Sequence, residues 1–116
     1  MALVLVADDN RGFAELVRAL LEDAGHAVLT AYSGLAAIAV VEQNAVDLAV
    51  LDVLIPGISG DAVAGRLRQL RPGLPLALMT GNGEIFASAS GLPVLRKPFT
   101  KEELLEVVER LLGRAP

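Results

Sequence analysis

The sequence predicts an α/β fold, a single five-stranded parallel sheet with helices on both faces. Three observations carry this. Five short apolar runs rich in Val and Leu alternate with segments of helical spacing. The runs are apolar throughout, as in strands buried on both faces, and do not alternate with polar residues. A dozen or so residues join successive runs, the length that a parallel crossover requires.

The first strand is Ala2–Ala7. The whole stretch Met1–Ala7 has no basic region before it and runs into Asp8-Asp9, so it reads as a buried strand and not as a signal peptide. Phe13, Leu16, Val17, Leu20 and Leu21 then recur at i, i+3, i+4, i+7 and i+8, a helix ending before Gly25. The second strand is Ala27–Ala31. A second helix covers Ser33–Asn44, with Ile38 and Val41 inward and Asn44 as its stop. The third strand is Asp47–Leu51, with Asp52 directly after it. The next helix, Ser59–Leu70, places Val63, Leu67 and Leu70 on one side and ends at Arg71-Pro72-Gly73, which cannot continue a helix. Leu76–Thr80 is the fourth strand. Gly81–Gly91 breaks the pattern with its glycines and serines. It has room for a helix of about two turns, and the greatest mobility in the chain is expected there. Val94–Leu95 is the fifth strand. In the last helix, Thr100–Leu112, Thr100 and Glu103 have capping-box spacing and Leu104, Val108 and Leu111 form the stripe. Leu105, Val107 and Leu112 widen that stripe and read as core.

The chain has 116 residues, enough for one domain, taken as residues 1–116. Apolar residues make up 53% and charged residues 21%, which excludes wholesale disorder. Ten Lys+Arg against fourteen Asp+Glu give a net charge of −4, so the basic footprint of a nucleic-acid binder or a polybasic membrane anchor is missing. There is no cysteine, which excludes disulfides, Cys-bound zinc, iron–sulfur clusters and thiol nucleophiles. The one histidine, His26, follows Gly25 in a turn and reads as an ordinary surface residue. The longest apolar run beyond the first strand, Leu35–Val41, is far below a membrane-spanning length. A cytoplasmic protein is expected.

In an open parallel sheet, the C-terminal ends of the strands converge on the ligand crevice. The residues there are Asp8 and Asp9 after the first strand, Asp52 after the third, Thr80 closing the fourth and Lys97 after the fifth. Crowded carboxylates repel each other, and a hard divalent cation relieves the repulsion. An Asp nucleophile, Mg²⁺, a Lys and a Thr are what phosphoryl transfer to a carboxylate needs. Each residue alone has a plainer reading. Asp8 or Asp9 could cap a helix, Asp52 could start a loop, Thr80 suits any strand, and Lys97 could be a solvated charge. The conjunction carries the argument.

With these residues in place, the chain resembles the response-regulator receiver domains, of the CheY-like, flavodoxin-fold type. The resemblance covers the whole length. It rests on Asp8-Asp9, on Asp52-Val53-Leu54-Ile55-Pro56-Gly57 with Gly60, on Met79-Thr80-Gly81 and on Lys97-Pro98-Phe99. It implies the strand order 2-1-3-4-5 and makes Asp52 the phosphoacceptor. It also implies that Mg²⁺ is bound directly by Asp9, through water by Asp8, and by Asp52 and the Leu54 carbonyl. Thr80 and Lys97 would contact the phosphoryl group, and Lys97-Pro98 would be cis. The implied partners are a histidine kinase or phosphotransfer protein as donor and a downstream protein as target, with a second copy of the chain as a further candidate. No nucleic-acid or membrane partner is expected. No turnover is expected beyond gain and loss of the chain's own phosphoryl group.

Three positions depart from the family pattern. Ile55 stands where Met is usual. Val94 occupies the place of the aromatic that turns inward in many receivers. Thr80 and Lys97 are only 17 positions apart, which shortens the fourth helix. The chain is similar to a subset of receivers with a Thr-Gly pair and no aromatic switch, often attached to histidine kinases or acting alone. For such a chain, ordering of Gly81–Gly91 on phosphorylation is the expected switch. Leu54 and Asn82 lie where the family tunes the lifetime of the phosphoryl group. A phosphorylation-independent receiver-fold binding module is the alternative. An aspartate-nucleophile phosphatase would want an Asp where Leu54 stands, and a flavin carrier would want a phosphate loop after the first strand.

Overall fold

The computed structural model describes residues 2–55, 58–81 and 91–113. In chain order the elements are β1 (Leu3–Ala7), α1 (Arg11–Asp23), β2 (Ala27–Ala31), α2 (Gly34–Gln43), β3 (Leu48–Asp52), α3 (Gly60–Leu70), β4 (Leu76–Thr80), β5 (Val94–Arg96) and α4 (Lys101–Leu111). The strands form one parallel sheet in the order β2-β1-β3-β4-β5. This is the expected flavodoxin-like order. The segment expected to hold a short fourth helix and to be mobile falls on residues 82–90, outside the described residues, as does the Pro56-Gly57 turn.

Both faces of the sheet are covered, which is why its strands lack polar alternation. Leu5, Ala7, Ala49, Leu51, Leu76 and Leu78 point to one face, where α2 and α3 add Ala37, Val41, Val63 and Leu67. Val4, Val6, Leu48, Val50, Ala77 and Met79 point to the other, where α1 and α4 add Val17, Leu21, Leu104 and Val108. Val107 is buried there, and Leu105 and Leu112 pack against the same cluster, so the wide stripe of α4 is core.

The helix boundaries follow from their caps. Asn10, Ser33, Ser59 and Thr100 each accept a backbone N–H from the first turn that follows. Thr100 and Glu103 form the reciprocal capping box that their spacing predicts. Asn44 ends α2, its amide donating to the Val40 carbonyl at 2.9 Å. Arg71 reaches across from the end of α3 to the carbonyls of Val41 at 2.8 Å and Asn44 at 3.1 Å.

Two expectations are corrected. Leu16 is 53% exposed: of the expected stripe Val17 and Leu21 are buried and Phe13 and Leu20 pack against the core, while Ala14 is buried in place of Leu16. At about 100° per residue, Leu16 falls on the far flank of that face. His26 is not a surface residue: it is 5% exposed. Its Nδ1 accepts the Ala2 backbone N–H at 3.4 Å, and its Nε2 lies 3.1 Å from Glu109 Oε2 on α4. Among the described residues, no helix is long and apolar enough to cross a membrane.

Candidate active site

Backbone pairing carries each polar residue to the same edge. The Asp8 N–H donates to the Ala31 carbonyl at 3.0 Å, one step beyond the β1–β2 ladder. Asp52 is the last residue of β3, the central strand, in register with Met79. Thr80 closes β4 and is buried. The Lys97 N–H donates to the Thr80 carbonyl at 2.8 Å, so the lysine leaves the sheet directly beside Thr80. The Lys97-Pro98 peptide is cis.

The side chains then converge. Lys97 Nζ donates to Asp8 Oδ2 at 2.6 Å and to Asp52 Oδ2 at 2.7 Å. Asp52 Oδ1 accepts the Leu54 N–H at 2.8 Å, and Asp8 Oδ1 accepts the Asn10 N–H at 2.9 Å. Asp8 is fully buried, Asp52 nearly so, and Asp9 is exposed. Because Asn10 caps α1, Asp8 and Asp9 are not spent as its caps. Leu54 is 55% exposed, so its side chain borders the site without entering the core.

Burial pushes the Asp52 carboxyl above the ordinary aspartate value, and the Asp8 charge adds to this. The hydrogen bonds from Lys97 and the Leu54 N–H oppose the shift without cancelling it. For Lys97, burial works against the ammonium, but the hydrogen bonds to Asp52 and Asp8 outweigh it and raise the amine above its usual value. The lysine is therefore a charged cation lying between two carboxylates.

Asp8, Asp9 and Asp52 each offer a carboxylate oxygen, and the three oxygens lie within 4.8 Å of one another. Hard oxygen donors of this kind suit Mg²⁺, which takes one or two carboxylates and fills its remaining positions with water and phosphate oxygens. The Lys97 ammonium already sits as a cation against two of the three. The donor set thus fits a divalent ion in chemistry and in charge.

The sequence brought Asp8, Asp9, Asp52, Thr80 and Lys97 to this edge, and the structure places them there. It also adds Phe13, which the helical spacing had assigned to the apolar stripe. Lys97 Nζ lies 4.4 Å from the centroid of the Phe13 ring. A signal was present: Phe13 lies one helical turn beyond Asp9, on the helix that starts at this edge.

Comparison with known proteins gives one consistent family. The family model of the response regulator receiver domain matches residues 4–109. The chain is 37% identical, over 98% of its length, to the transcriptional regulatory protein TcrA of Mycobacterium tuberculosis, and covers 47% of that protein. It is 34% identical, over 96% of its length, to the regulatory protein VanRc of Enterococcus gallinarum, and covers 50% of it. The chain therefore spans about half the length of these curated relatives. Among solved structures it is similar to the receiver domain of NtrX from Brucella abortus, with a TM-score of 0.89 and 31% identity over 97% of this chain and 99% of that one. A receiver domain protein from Clostridium thermocellum superposes with a TM-score of 0.90 at 28% identity, over 98% of this chain and 96% of that one.

Proposed function

This chain belongs to the response regulator receiver family of two-component signalling, and on that premise we propose that it takes a phosphoryl group from a phosphohistidine donor onto Asp52. The donor is a histidine kinase or a phosphotransfer protein. One observation carries the reading. The Asp52 carboxylate stands at the end of the central strand with Leu54 N–H on one oxygen and Lys97 on the other, beside Asp8 and Asp9.

An Asp52 oxygen attacks phosphorus, the P–N bond to the donor imidazole breaks, and its electron pair returns to the ring. The product is an acyl phosphate. The Leu54 N–H fixes the carboxylate plane, and Lys97 offsets charge on the equatorial oxygens. Thr80, the last residue of β4, would contact the bound phosphoryl group through its hydroxyl. Asp8, Asp9, Asp52 and the Leu54 carbonyl would hold Mg²⁺, which supplies charge neutralisation to the phosphoryl oxygens. The exposed Leu54 side chain shields the acyl phosphate from water. Phosphorylation changes a surface read by a downstream protein target, or by a second copy of the chain, in the cytoplasm.

Intact-mass spectrometry after incubation with a small phosphodonor and Mg²⁺ tests this. A gain of one phosphoryl group is expected, lost in Asp52→Asn and on removal of Mg²⁺. No gain from the small donor or from a phosphohistidine protein would overturn the reading in favour of a phosphorylation-independent binding module.

A further inference from the structure

Lys97 reaches the site over an aromatic floor. An ammonium has three donors. Two are taken by Asp8 Oδ2 and Asp52 Oδ2, and the ring of Phe13 lies 4.4 Å from Nζ. That distance is within cation–π range, and the interaction strengthens when, as here, the cation is partly desolvated. The ring is itself held. Phe13 and Phe99 meet edge-to-face, with centroids 5.6 Å apart and planes at 84°. Both pack on the core cluster beneath α1 and α4. Phe99 lies two residues after Lys97, so the same turn presents the amine and the ring that braces its floor.

The three acidic residues whose oxygens suit a divalent ion include both carboxylates that hold Lys97. An ion binding there competes with the ammonium for those oxygens and repels it. We propose that Phe13 is a positioning residue for Lys97: its ring face is the partner that keeps the ammonium at the site when a divalent ion takes over the carboxylate oxygens. The inference rests on the phosphoacceptor reading for its purpose, since the amine must remain to meet the incoming phosphoryl group. Its geometry does not depend on that reading. An apolar side chain of similar volume, such as Leu, would preserve packing and lose the π face.

The test is NMR of the full chain with and without Mg²⁺, on wild type, Phe13→Leu, Phe13→Tyr and Lys97→Met. The Lys97 methylene protons next to Nζ are expected upfield of their ordinary position in wild type and Phe13→Tyr. They should stay upfield at saturating Mg²⁺, and lie at the ordinary position in Phe13→Leu. Mg²⁺ affinity, read from the amide shifts, is expected to rise about threefold to fivefold in Phe13→Leu, because the competing cation is held less firmly. Phe13→Tyr should reverse that rise, and it should vanish when Phe13→Leu is made in the Lys97→Met background. A merely structural role for Phe13 would weaken Mg²⁺ binding and would act equally in both backgrounds. Unshifted Lys97 protons in wild type, or an upfield shift lost on Mg²⁺ saturation, would overturn the proposal. If wild type shows the Lys97 shift yet gains no phosphoryl group, the phosphoacceptor reading fails and the role of Phe13 stands.

Discussion

Gly60 sits so close to the backbone of Asp52 that a Cβ at Gly60 would lie 2.6 Å from the Asp52 carbonyl oxygen and 2.5 Å from Val53 Cα. The Gly60 N–H also donates to the Val53 carbonyl at 2.9 Å. The start of α3 is thereby pressed onto the strand end that carries the proposed phosphoacceptor. Gly60→Ala is expected to lower stability by about 2–3 kcal/mol through overpacking against backbone that cannot yield. Phosphoryl uptake should slow on the order of tenfold as Asp52 shifts. Gly65, in the same helix with open space around it, is the control: Gly65→Ala should raise stability by about 0.5–1 kcal/mol. Urea unfolding of both variants checks this, and equal losses would contradict it.

Lys97 is the cation that offsets Asp8 and Asp52. Lys97→Met is expected to cost about 3 kcal/mol without divalent ions, the low end for breaking a buried pair because Lys97 keeps some solvent contact. Mg²⁺ should restore much of that loss, since it neutralises the same carboxylates. Urea midpoints measured with chelator and with Mg²⁺ decide this, and a loss that Mg²⁺ does not reduce would speak against the metal site.

His26 ties the start of the chain to α4. Its Nδ1 accepts from Ala2, so Nε2 carries the proton facing Glu109 in the neutral ring. His26→Ala strands the Ala2 N–H and is expected to cost about 1–3 kcal/mol. Glu109→Gln keeps an oxygen acceptor at a partly exposed position and should cost less than about 1 kcal/mol. Urea unfolding at neutral pH tests the ranking of the two.

The ion pair of Asp23 and Lys101 links the last turn of α1 to the first turn of α4. The hydrogen bond from Lys101 and its charge hold the Asp23 carboxyl below the ordinary value of 3.8. A lowered folded-state value means that the pair's stabilisation is complete above 3.8 and is lost as pH falls through the lower folded-state value. The stability difference between wild type and Asp23→Asn should therefore shrink on acidification below that point. It should also shrink with added salt, since the pair is solvent-exposed. A difference unchanged across acid pH would refute the linkage.

The strand runs, the parallel sheet and the convergence of Asp8, Asp9, Asp52, Thr80 and Lys97 were legible in the linear order of residues. The reason is local. A strand buried on both faces must be apolar along its length, and the first polar residue after it must emerge at the sheet edge. The capping box of Thr100 and Glu103 is equally local, because a helix start satisfies its N–H groups within one turn.

Contacts between segments distant in the chain were not legible. His26 looked like a turn residue because its partner on α4, Glu109, lies 83 positions away. Leu16 fitted the spacing to Leu20, whereas the face that the structure turns inward is that of Ala14, Val17 and Leu21. Phe13 fitted an apolar stripe, yet its ring lies beneath an ammonium from the far end of the chain. Gly60 stood in a recognisable motif, but its contact with Asp52 depends on how closely α3 is drawn to β3. Periodicity records which face of an element turns inward. Which atoms meet across that face depends on close packing of the whole core, where every neighbour constrains every other.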